Sequence, residues 1–100
     1  MRLIVLFSLK AGVNHEDYQA WALSRDLPTV RALPSIAGFD VFRATGVLGG
    51  GVAPYDYVEI IDIADADMFG QDVATEKMQE IAAEFSGMAE ATFLTTEPLG

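Results

Sequence analysis

The chain has 100 residues and a formal net charge of −9, from fifteen acidic and six basic side chains. Its length suits one domain with one core. No cluster of Lys or Arg could follow a phosphate backbone, and no apolar run nears the roughly 20 residues that cross a bilayer, so neither nucleic acid nor membrane is an expected partner. Apolar residues make up 51% and cysteine is absent. The expectation is a packed globule without disulfides, thiol chemistry or Cys-based metal sites.

Arg2 to Leu9 (RLIVLFSL) is apolar at both alternate sets of positions, the pattern of a strand buried on both faces. Its apolar part, Leu3 to Phe7, is short, lacks a following small-residue cleavage site and continues with Ser8, Leu9 and Lys10, so it does not read as a secretory signal, which makes the cytoplasm the expected location. Asn14 is the expected N-cap of a first helix, with Glu16 and Asp17 placed to suit its dipole. Tyr18, Trp21, Ala22 and Arg25 then fall at i, i+3, i+4 and i+7, an inward stripe. Pro28 fits badly in a continuing helix and predicts a break near Asp26 or Leu27, with Val30 and Leu33 packing a second piece that ends by Pro34 and Gly38.

Ile36 to Leu48 and Val52 to Ile63 read as two strands of a long hairpin joined by Gly49-Gly50-Gly51. Asp65-Ala66-Asp67 supplies capping chemistry for a second helical stretch, interrupted near Gly70, in which Met78, Ile81, Ala82 and Phe85 repeat at helical spacing. Met88 to Leu99 completes the order with a strand that finishes at Pro98.

The order β-α-β-β-α-β over residues 1–100 predicts one α+β domain of ferredoxin-like form, an antiparallel sheet with both helices on one face. Two helices cover one face only. Val58 and Ile60 alternate with Ile61 and Ile63 on the third strand, so the other face would expose an apolar patch on the order of several hundred Å². A second copy of the chain is the expected cover, giving a homodimer through the sheet face.

His15, the only histidine, sits in the first turn of a helix whose dipole favours a neutral imidazole, while Glu16 and Asp17 oppose that. It reads either as a proton carrier or as an exposed helix-start residue. Tyr18 and Trp21 offer flat surfaces to an aromatic ligand, or simply core packing. Tyr55, Tyr57 and Glu59 alternate along one face of the third strand, so their tips could reach a shared cleft or the partner. Were the hairpin symmetric about its glycines, Arg43 would oppose Tyr57 and lie diagonal to Glu59, as part of a site or as a salt bridge. Asp40 and Asp56 would lie on the other face with Phe42 and Val58. The Gly triplet joins two strands, not a strand and a helix, which argues against a nucleotide cofactor, and one His without Cys argues against zinc or haem. No cofactor and no metal are expected.

The pattern His15-x-x-Tyr18-x-x-Trp21, the stretch Leu33 to Phe39 (LPSIAGF) and the strand Tyr55 to Ile60 (YDYVEI) together resemble the REDY-like HapK family. That family belongs to the dimeric α/β-barrel proteins, in which two ferredoxin-like sheets pack face to face. The resemblance implies a small protein of prodiginine-type pigment pathways, with a ligand cleft between the sheet and the helices. The expected function is cofactor-independent acid/base chemistry on a small aromatic or heteroaromatic substrate. His15 would transfer a proton and Tyr57 would bond a carbonyl or oxyanion, while Tyr18, Trp21, Arg43, Tyr55 and Glu59 bind the substrate. The alternative is a non-catalytic ligand-binding or accessory protein.

Overall fold

A computed structural model describes all 100 residues. Strand β1 (Arg2–Leu9) leads into helix α1 (His15–Trp21), a π-helical turn (Ala22–Asp26) and helix α2 (Leu27–Arg31). Strands β2 (Ile36–Arg43) and β3 (Tyr57–Ile63) follow, then helices α3 (Ala66–Val73) and α4 (Glu76–Met88) and strand β4 (Ala89–Thr96). The sheet order is β2-β3-β1-β4, antiparallel throughout. This is the expected α+β, ferredoxin-like arrangement.

Strand parity sets the faces. Val5 and Phe7 of β1, Phe39 of β2 and Tyr57, Ile61 and Ile63 of β3 are buried in one core with Tyr18, Ala22 and Val30 of the first helical region. Side chains one residue out of phase point the other way. Leu6 pairs with Val58 and Ile4 with Ile60, flanked by Phe42 and Leu94, which remain 53% and 41% exposed. The sheet is therefore apolar on both faces, as its periodicity predicts, and the chain's own helices pack on one.

Three local expectations need correction. The first helical region is not broken before Pro28. Leu27 N–H bonds the Ala22 carbonyl, an i→i+5 step, and the chain runs through this wider turn directly into α2, with Pro28 in its first turn. The extra residue in this turn rotates the stripe. The buried positions are Tyr18, Ala22, Asp26 and Val30, whereas Arg25, expected to face inward, turns to the rim and forms two 2.7 Å bonds with Glu84.

The hairpin strands are shorter than expected, and residues 44–56 form a loop. The β2–β3 ladder continues only to Ala44 N–H bonding the Asp56 carbonyl at 2.8 Å. Asp56 is instead held by the end of β1: its N–H donates to the Phe7 carbonyl at 3.0 Å, and its carboxylate accepts from Leu9 N–H at 2.9 Å. Gly49, Gly50 and Gly51 all have positive φ, which a strand end does not provide. Tyr55, expected on one strand face with Tyr57 and Glu59, consequently lies in the loop ahead of β3, 39% exposed.

The interruption of the second helical stretch falls at Ala74 and Thr75, not at Gly70. Thr75 caps α4 by accepting from Met78 N–H, a stronger stop-and-start signal than one glycine. The cap expected at Asn14 is present, its side chain accepting from Asp17 N–H at 2.8 Å. No helix is long and apolar enough to cross a membrane.

Candidate functional site

Phe7 occupies the centre of the helix-covered face. Tyr57 stacks on it with ring centroids 5.2 Å apart, and Tyr18 and Phe85 meet it edge-on at 5.5 and 5.0 Å. Tyr18 and Tyr57 are themselves 4.7 Å apart. These rings divide the space beneath the helices into two cavities.

The larger cavity, about 450 Å³, lies between the sheet and α3 and α4. That volume suits a small organic molecule. Its lining is apolar, with Phe39, Phe69, Ile81, Phe85 and Phe93 prominent, and its only charged residues are Asp26 and Glu59. Both acids are buried, at 5% and 4% exposure. The π turn places Asp26 there; strand parity places Glu59 there, two residues from Tyr57. Burial pushes the Asp26 carboxyl up to about 6. Burial, with added repulsion from Asp26, pushes Glu59 up to about 8. Near neutral pH one acid is thus mainly ionised and its neighbour mainly protonated, the complementary states that acid/base chemistry needs.

The smaller cavity, about 330 Å³, is bordered by Tyr18, Gln19, Val41, Arg43 and Tyr57. The Tyr57 hydroxyl lies 2.9 Å from His15 Nδ1 and accepts from Gln19 Nε2 at 3.0 Å. His15 and Gln19 lie four residues apart on α1 and so reach the same phenol. When Nδ1 carries no proton, Tyr57 donates to it; when Nδ1–H donates, the phenol proton is free for another acceptor.

The expected residues thus separate. Tyr57, Tyr18 and Arg43 border the smaller cavity, His15 reaches it only through its bond to the Tyr57 hydroxyl, and Glu59 belongs to the larger one. Arg43 pairs with Tyr57 in the expected register, yet it is exposed and does not neutralise Glu59. Trp21 borders neither cavity: its indole N–H donates to Glu84 at 2.7 Å and its ring stacks on Phe85 at 6.2 Å. Tyr55 stands apart in its loop. The Tyr18 hydroxyl is buried with no hydrogen-bond partner, and burial together with the charges of Glu59 and Asp26 pushes its phenol further up.

Two residues escaped the sequence reading. Asp26 follows Tyr18 by eight positions, which a regular helix leaves at the edge of the inward stripe, and the π turn before Pro28 brings it fully inside; an acid just before Pro28 was the one signal in the sequence. Gln19 carried no signal beyond its spacing from His15.

The family model of REDY-like protein HapK matches residues 1–99. Among solved structures, HapK from Hahella chejuensis is 34% identical, with a TM-score of 0.79, over 100% of this chain and 94% of that one. SnoaB, a cofactor-independent oxygenase from Streptomyces nogalater, has a TM-score of 0.71 at 14% identity over 98% and 93% of the two chains. A dimeric ferredoxin-like protein of unknown function from Thermobifida fusca has a TM-score of 0.68 at 21% identity over 95% and 89%. The last two likenesses concern the fold alone. No match is found among the curated proteins. With the family model matched over residues 1–99 and HapK matched over the whole of this chain at 34% identity, the chain belongs to the REDY-like HapK family.

Proposed function

We propose that this protein is a cofactor-independent enzyme of secondary metabolism that moves protons on a small aromatic or heteroaromatic substrate. The observation that carries the reading is the apolar cavity whose only charged lining residues are Asp26 and Glu59, one acid poised as a base and the other as an acid. The resemblance to the REDY-like HapK family implies a prodiginine-type pathway as the setting, and the cytoplasm is the proposed location. SnoaB, which shares this fold, is a cofactor-independent oxygenase; that is in keeping with the reading, and a fold does not transfer a reaction.

In this reading Glu59 and Asp26 exchange protons with the substrate in the larger cavity, while Tyr57, its hydroxyl fixed by His15 and Gln19, holds in place the Phe7 ring on which it stacks. Phe39 and Phe85 hold the substrate's ring. Trp21 acts through Phe85, on which it stacks. Removing either end of the His15–Tyr57 bond, by His15→Ala or Tyr57→Phe, is expected to lower turnover at least about tenfold in a folded protein. Normal rates in both variants, measured alongside circular dichroism, would remove this pair from the mechanism.

The largely apolar lining equally favours a non-catalytic protein that shelters a reactive intermediate. In that case candidate substrates bind and are recovered unchanged, and His15→Ala leaves affinity intact.

The functional unit in this proposal is a homodimer joined through the open sheet face. Leu6, Val58, Ile4 and Ile60 form an apolar centre there, and burial against a second copy removes it from water. Sedimentation at micromolar concentration should show a dimer, and Ile60→Asp, which sets a charge at the centre, should shift it to monomer. A monomeric parent chain would rule out this assembly.

A further inference from the structure

The two buried acids lack something that buried acids ordinarily have. Burial and, for Glu59, the nearby Asp26 account for their raised values; no hydrogen bond and no cation of the chain contributes. Of the six basic side chains, Arg2, Arg25 and Arg31 are paired with Asp62, Glu84 and Asp40. None of the six borders the larger cavity. Ionised carboxyls in such a place are costly until a cation or strong donor reaches them.

A neutral apolar ligand fills the volume and leaves both carboxyls unpaired, and an anion is repelled. A small organic cation with an apolar body answers both features of the cavity. The chain's net charge of −9 also draws cations toward it.

We propose that the larger cavity binds a protonated organic amine or amidine, its nitrogen seated on the carboxyls of Asp26 and Glu59 and its apolar body among Phe39, Phe69, Ile81 and Phe85. The inference rests on this cavity being the ligand site and specifies the class of molecule the site takes. It further assigns a binding role to Asp26.

Proton linkage follows. A bound cation favours the ionised form of both carboxyls, so binding releases protons and strengthens as pH rises from about 5 to about 8. The other titratable groups near the acids are the phenols of Tyr18 on α1 and Tyr57 on β3, the latter bonded to His15. The parts of β1, β2, α3, α4 and β4 that line the cavity carry no charged side chain.

Calorimetric titration with benzylamine, which stays protonated throughout this range, and with its neutral isostere benzyl alcohol tests the proposal. At pH 8 benzylamine should bind the parent chain at least about tenfold more tightly than the alcohol, a difference of about 1.4 kcal/mol. The advantage should shrink at pH 5.5 and should be lost in both Asp26→Asn and Glu59→Gln. These variants remove a buried charge and are expected to fold, which circular dichroism checks. Equal affinities for the two probes at pH 8, or an unchanged amine preference in both variants, would overturn the cation inference while leaving the cavity as a ligand site. Failure of both probes to bind would overturn the cavity reading and this inference together.

Discussion

Replacing Glu59 by Gln should lower turnover of the true substrate by about a hundredfold or more, the size expected when a positioned acid/base group is removed. The substitution preserves shape and removes the proton chemistry. Because Glu59 is 4% exposed and pushed up to about 8, it holds a proton at neutral pH in a cavity where Asp26 is mainly ionised. The rate of the parent enzyme should therefore show a limb on each side of neutrality, one from each acid, with apparent values that belong to the coupled pair. In Glu59→Gln the alkaline limb should disappear along with most of the rate. A variant that keeps the parent's rate and both limbs would move the acid/base chemistry away from this cavity and back to His15 and Tyr57.

A second large effect concerns stability. Asp26 and Glu59 bind protons more tightly in the folded chain than in the unfolded one, where both return to ordinary carboxylate values. Between about pH 4 and pH 8 the native state thus binds more protons than the unfolded state. The slope of unfolding free energy against pH is then negative, and stability falls as pH rises through this window. At about 1.4 kcal/mol per unit, the rise of Glu59 from 4.5 to about 8 corresponds to several kcal/mol at full ionisation.

Glu59→Gln removes that contribution, so at pH 9 the variant should melt above the parent by about 10 °C or more, given some 4–8 °C per kcal/mol for a domain of this size. At pH 5, where Glu59 is protonated, the two should melt close together. The exposed ion pairs Arg2–Asp62 and Arg25–Glu84 oppose the trend only at lower pH, because their partners hold Asp62 and Glu84 below the usual carboxylate range. Parallel melting curves across pH 5 to 9 would show that Glu59 is not buried as an unpaired acid.

The two effects have one origin. An unpaired buried acid is a cost to the fold, and in the proposed reading the same acid does the chemistry and receives the ligand. Glu59→Gln should therefore lose rate and gain alkaline stability together, which separates a functional acid from a structural one.

The sequence by itself determined the parts that depend on local periodicity. Alternation along β1 and β3 identified a sheet apolar on both faces, because side chains in a strand change sides at every residue wherever the strand ends up. Asn14 announced the start of α1 because a cap acts on amides two or three residues away. The same parity put Tyr57 and Glu59 on one face, and the motifs around His15, Leu33 and Tyr55 were enough to mark the family.

Only the tertiary structure decided which of these residues share a cavity. Tyr55 lost its place on the strand because Asp56 is held by the end of β1, a contact 47 residues away in sequence. Asp26 gained its place because one extra residue in the turn before Pro28 rotates the helix, a phase shift that regular spacing does not contain. Tyr57 and Glu59, neighbours on one strand face, border different cavities because the ring cluster around Phe7 lies between the two spaces, with Phe85 lining the larger and Tyr18 and Tyr57 the smaller. A periodic pattern gives the direction of a side chain, but its neighbours depend on how distant segments pack.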